Sequence, residues 1–115
     1  MESTRQQKIN KLLQRDLGTI FQLESRNILG TAAMISVTKV QVSRDLSSAR
    51  VYLSLFATDD KEGLLNDIKA KKTAFRTLLA SKIRHQLRVV PDLIFILDDS
   101  LDYIENIDKL LKKDD

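Results

Sequence analysis

Apolar residues recur at helical spacing near the start of the chain: Ile9, Leu13, Leu17, Ile20 and Phe21, with Leu12 beside them. Ser3, followed three residues later by Gln6, fits a capping box, in which each side chain satisfies a backbone N–H left over at a helix start. The pattern fades between Glu24 and Gly30, and Gly30 suits the turn after the helix. Met34 to Val42 is β-branched and alternating, but Ile35 and Val37 are out of phase with Val40 and Val42. A strand there needs a bulge near Thr38, or burial on both faces. Ser43 to Ser48 reads as a polar turn, Ala49 to Phe56 as the returning strand, and Ala57 to Gly63 as a loop.

From Leu64 to about Val89 the period is helical again. Leu64, Leu65, Ile68, Phe75, Leu78, Leu79 and Ile83 share one side, but Lys72 falls into that side and Lys71 at its edge. Burying two unpaired ammonium groups is costly, so a kink is expected near Lys71-Lys72-Thr73. Pro91 is expected to end the helix. Leu93 to Leu97 is an unbroken apolar run, which predicts a strand in a central position or covered on both faces. Ser100 can cap a last short helix with an apolar stripe of Tyr103, Ile104, Ile107, Leu110 and Leu111. The order helix, strand, strand, kinked helix pair, strand, short helix predicts an α+β fold. Its three-stranded sheet would carry helices on one face, and the long crossover would permit parallel pairing of the third strand.

Composition narrows the class. The 115 residues suit one domain, 1–115, with an acidic C-terminal helix and tail over 98–115. With no cysteine there is neither a disulfide framework, nor a thiolate zinc site, nor a cysteine nucleophile, and one histidine cannot make a multi-histidine site. No apolar run approaches the ~18 residues of a bilayer span, and the polar start does not read as a signal peptide. The expectation is a soluble cytoplasmic protein without a membrane partner.

Net charge is +3, and its distribution says more than its size. Lys69, Lys71, Lys72, Arg76, Lys82, Arg84 and Arg88 follow one another with no acidic residue between them, whereas 98–115 is acidic. Such polarity suits a polyanionic partner. Catalytic chemistry has little footing. His85 sits among cations and reads as a solvated helix residue. Asp98-Asp99 reads as a strand-to-helix turn, and Asp59-Asp60 as a loop before a helix. Gly18, Gly30 and Gly63 are too scattered for a phosphate loop. Nothing points to an enzyme or a cofactor. The few aromatics form no stacking platform, so nucleic-acid contact would rest mainly on phosphates and shape.

The element order is that of a type II KH domain, and three stretches resemble one family of that fold, ribosome-binding factor A. Ile35 to Leu46 resembles its first strand and Val-Ser-x-Asp-Leu turn, and Ala49-Arg-Val-Tyr-Leu-Ser54 its second strand. Val90-Pro-Asp-Leu-Ile-Phe95, continuing through Asp98-Asp99-Ser100 to Leu111, resembles its third strand and closing helix. Like the family, the chain lacks the Gly-x-x-Gly clamp of other KH domains. Unlike the family, it has Thr73 or Ala74 where an interhelical glycine is usual.

The resemblance implies a monomeric, non-enzymatic assembly factor, without cofactor, that binds immature small ribosomal subunits through their RNA. Ribosomal proteins are further candidate partners. The basic run would supply the contacts, with Lys69, Arg76, Arg84 and Arg88 on one flank of the helices and Lys71 and Lys72 at the kink. Arg5, Lys8, Lys11 and Arg15 on the first helix and Arg44 in the hairpin turn form a second tier. A generic RNA- or single-stranded-DNA-binding module and a protein-interaction domain are the competing classes.

Overall fold

The computed structural model describes residues 2–98; the expected closing helix and acidic tail, from Asp99 onward, lie outside the described residues. The elements run α1 (Thr4–Leu29), β1 (Met34–Val42), β2 (Ser48–Phe56), α2 (Lys61–Ala70), α3 (Lys72–Ile83) and β3 (Asp92–Leu97). Helix α1 starts and stops where its end signals stand. Ser3 Oγ accepts from the Gln6 N–H at 3.1 Å, and Gln6 Oε1 accepts from the Ser3 N–H at 2.9 Å. At the other end Gly30 adopts φ +64°, and its N–H donates to the Arg26 carbonyl.

β1 and β2 form an antiparallel hairpin whose register shifts between Val37 and Lys39, leaving Thr38 as the extra residue. That bulge reconciles the two phases of the strand, for Ile35, Val40 and Val42 all end up buried. β2 is the central strand and buries Ala49, Val51, Leu53 and Leu55 against the helices. β3 pairs parallel to β2. The unbroken apolar run predicts a central or doubly covered strand, and this expectation fails: β3 is an edge strand with Leu93 and Phe95 buried and Ile94 43% exposed. The hairpin has already taken one side of β2, so the third strand can only join on the other.

The long helical segment also resolves differently from its period. α2 begins at Lys61 rather than Leu64, because the Asp60 carboxylate accepts the Gly63 N–H at 2.9 Å and caps it. Gly63 leaves room for that cap; a Cβ there would collide with the Asp60 carboxylate. The helix breaks at Lys71, φ −101° and ψ 17°, where the kink is expected. The break rotates Lys72 out of the apolar side, so that Ile68 and Phe75 are buried while Lys72 reaches Asp92. α3 then ends at Ile83, well before Pro91. Both Gln86 and Leu87 donate to the Ile83 carbonyl, at 2.8 and 2.9 Å, and the chain turns there so that Leu87 enters the core. Arg84, His85 and Gln86 are all exposed and offered a longer helix nothing to bury.

Three rings lock the layers together. Phe21 of α1 lies 4.5 Å from Phe75 of α3 between ring centroids, and Phe95 of β3 packs edge-on to both, at 6.0 and 6.2 Å.

Two local features of the loops make predictions. Ala57, just past β2, is exposed and holds φ +59°, a left-handed conformation that costs a residue with a Cβ about 1–2 kcal/mol. Ala57→Gly should remove that strain at a smaller entropic cost, raising the melting temperature by a few degrees. A thermal melt with no rise would show the strain to be absent.

In the hairpin turn the Asp45 carboxylate accepts from the Ser47 hydroxyl (2.7 Å), the Ser43 hydroxyl (2.8 Å) and the Ser47 N–H (3.1 Å). Those bonds, the Ser47 hydroxyl foremost, hold its carboxyl at about 2 instead of 3.8. A depressed folded value means a contribution that is full above the ordinary value and lost as the pH falls through about 2. Carboxyl NMR of Asp45 should therefore give a midpoint near 2, well below the ordinary aspartate value of 3.8, and Ser47→Ala should move it back up. A midpoint that ignores Ser47→Ala would count against this account of the turn.

Candidate nucleic-acid interface

The acid-free basic run does not fold into one continuous flank. The structure divides it between the two ends of α3, which at 1.5 Å per residue stand roughly 20 Å apart. At the near end, Lys69 lies in the last turn of α2, Lys71 occupies the break and Lys72 opens α3. At the far end, Lys82 lies in the last turn and Arg84 just beyond it, both exposed. Arg88 belongs to the connection after α3, next to Val89, which is 74% exposed. The expectation that Arg88 shares a helical flank with Lys69 is thus corrected, since the helix has ended before it.

Lys69 and Lys72 form one wall of a shallow recess of about 230 Å³ whose floor is Leu93, Ile94 and Phe95 of β3. The two ammonium groups attract phosphates, the outer edge of β3 pairs with no strand among the described residues, and Ile94, beside Arg50 in the register, is exposed on the sheet face that Leu93 and Phe95 do not take. Lys72 holds Asp92 at 3.1 Å across a half-exposed pair, an attachment weak enough for a phosphate to displace.

Arg76 serves differently from its basic neighbours. Its guanidinium donates to the Val90 carbonyl at 3.0 Å and is half-buried, fastening α3 to the segment that leads into β3. The same contact ties its charge to the fold.

The second tier is scattered by the topology. The Asp92 N–H donates to the Ser47 carbonyl, so the hairpin turn with exposed Arg44 stands at the same end of the sheet as Lys72. Asn10 and Gln6 of α1 bond the backbone of Val42, which brings exposed Arg5 and Lys8 towards that end as well. Lys11 and Arg15 point elsewhere, into a wide cleft along β1, at the sheet edge opposite β3. Ile94 is the contributor that the sequence pattern hides: in an all-apolar run alternation leaves no trace, and its exposure follows from the open face of the sheet, where Arg50 of β2 beside it is exposed too.

Comparison with known proteins agrees with this fold. The profile of the family described as Ribosome-binding factor A matches residues 5–111. A ribosome-binding factor A of Cytophaga hutchinsonii is 43% identical over 98% of this chain and 84% of its own length. The crystal structure of ribosome-binding factor A from Thermus thermophilus superposes with a TM-score of 0.65 at 25% identity, covering 80% of this chain and 94% of that one. A homology model of the Thermus thermophilus factor, fitted into a cryo-EM map of a 30S complex with it, superposes with a TM-score of 0.62 at 26% identity; 78% of this chain and 91% of that one are covered.

Proposed function

The chain belongs to the ribosome-binding factor A family, and from that premise we propose that it is a non-enzymatic factor for small-subunit assembly. It binds immature small subunits through their RNA near the neck, holds that region competent to fold, and leaves when maturation is complete. It acts as a monomer in the cytoplasm; no helix among the described residues is long and apolar enough to cross a membrane. Its role weighs most in the cold, when misfolded RNA escapes slowly.

The observation that carries this reading is the recess at the α2–α3 break, which Lys69 and Lys72 line together with Leu93, Ile94 and Phe95 at the outer edge of β3, an edge paired with no strand among the described residues. Phosphates bind the lysines, and the strand edge meets the polar rim of a base. Lys71 and Arg44 extend the basic surface at this end, with Arg5 and Lys8 beyond, while Lys82 and Arg84 carry a second basic cluster at the far end of α3 and Arg88 lies in the connection after it.

Co-sedimentation with immature and mature small subunits, whole ribosomes and unrelated RNA, at low and physiological salt, tests it. Migration with small subunits that survives physiological salt supports the assembly role. Equal, salt-labile binding to every RNA would reduce the protein to a generic polyanion-binding module.

A further inference from the structure

The edge of the sheet opposite the recess carries a second feature that RNA binding at β3 does not use. α1 runs along the outer edge of β1, and a series of its side chains spaced four apart seals that edge. The Asn10 side chain accepts from the Val42 N–H at 2.8 Å, and Gln6 donates to the Val42 carbonyl at 3.3 Å. Gln14 donates to the carbonyls of Thr38 and Val37 at 3.3 and 3.4 Å. The next place in the series is Gly18, which has no side chain, and nothing lies within 4 Å of where its Cβ would be. There the seal stops. Among the described residues no side-chain hydrogen bond reaches the backbone of Met34, Ile35 or Ser36, and a cleft of about 860 Å³ opens between α1 and this half of β1.

What lines the cleft says what would enter it. Leu23 and Met34, two of the few large apolar side chains that are strongly exposed (66% and 64%), both face it. Lys11, Arg15 and Arg26 also line it, and no acidic residue does. An unsealed strand edge is a template for another strand, and proteins that do not use such an edge usually cover or charge it.

We propose that the cleft at Gly18 is a docking site for an extended acidic peptide segment of a partner protein, which adds as a strand to the free half of β1. Its backbone pairs with β1 between Met34 and Val37, its apolar side chains cover Leu23 and Met34, and its carboxylates meet Lys11, Arg15 and Arg26. A peptide suits the site better than a nucleic acid because the cleft offers strand-spaced backbone groups and aliphatic surface, with no ring but the buried Phe21. The two ligands would then occupy opposite edges of one sheet.

The test is an amide and methyl NMR titration of the full chain with a short acetylated peptide of alternating valine and glutamate. Three controls are its lysine counterpart, the same acidic peptide with N-methylated backbone, and a single-stranded oligouridylate. The acidic peptide should shift the amides of Ile35 and Val37 and the methyls of Leu23 and Met34, and the controls should not. Gly18→Gln completes the series of sealing side chains on a helix that favours glutamine over glycine. It should weaken the peptide roughly tenfold or more while raising the melting temperature, so a loss of binding cannot be mistaken for a loss of fold. No shift at millimolar peptide overturns the proposal, as do equal shifts with the lysine or N-methylated peptide, undiminished binding by Gly18→Gln, or shifts in the cleft with oligouridylate alone. Because the probe involves no ribosome, the outcome is independent of the co-sedimentation result.

Discussion

The variant with Lys69→Glu, Lys71→Glu, Arg84→Glu and Arg88→Glu should fold as the parent does and lose small-subunit association by ~100-fold or more. All four side chains are exposed, and none makes a tertiary ion pair or hydrogen bond among the described residues. Each reversal removes a phosphate attraction and adds a repulsion, and the salt dependence should flatten by about one unit of slope for every phosphate no longer neutralised. Lys72, Arg76 and Lys82 of the run stay in place, the first two because they are bonded within the fold. Arg76 is bonded to Val90, and replacing it would confuse weakened binding with a loosened α3; Lys72 is engaged with Asp92. Sedimentation of the four-site variant, with circular dichroism to confirm the fold, decides the matter. Association that persists at physiological salt would remove the basic surface from the account of RNA binding.

Phe75→Ala should be the most destabilising single substitution in the core. Phe75 is fully buried and stacks on Phe21 while meeting the edge of Phe95, so its loss opens a cavity where α1, α3 and β3 converge. Truncations of this kind cost about 3–5 kcal/mol, a large share of the roughly 5–15 kcal/mol that holds a domain folded. Phe75→Leu keeps most of the volume and should cost well under half as much. Urea unfolding of the two variants measures both values. A Phe75→Ala protein nearly as stable as the parent would mean that the three rings do not form the joint between the layers.

Much of this fold is legible in the chain because its signals are local. Ser3 and Gln6 lie three residues apart and satisfy each other's backbone, so the start of α1 needs nothing distant. The clash of phases on either side of Thr38 predicts a bulge, since side chains alternate strictly along a strand. Lys72 on an apolar helix side predicts the break, because a buried unpaired charge is costlier than a broken helix. The expected helix end at Pro91 fails for a related reason. Proline sets the latest possible end, whereas the actual end came where nothing remained to bury and Leu87 had to turn back to the core.

The candidate interface was legible in its chemistry and hidden in its arrangement. Which residues carry positive charge is written in the chain, and so is their freedom from acidic neighbours. That Lys69 and Lys72 line one recess with Leu93, Ile94 and Phe95 depends on β3 taking the edge beside β2, a choice made by pairing between strands about forty residues apart. Arg76 has the same composition-level credentials as Arg84, yet one guanidinium is spent on Val90 and the other faces solvent. The cleft at Gly18 is the same kind of case. A glycine within a helix is ambiguous alone, and its meaning appears only when Gln6, Asn10 and Gln14 are seen bonding the strand beside it. Periodicity, caps and charge come from neighbours within a turn or two of chain, so residue order alone specifies them. Strand order, exposure at the sheet edges and the partners of each cation come from residues that meet only after folding, and tertiary packing alone selects among the arrangements that local order permits.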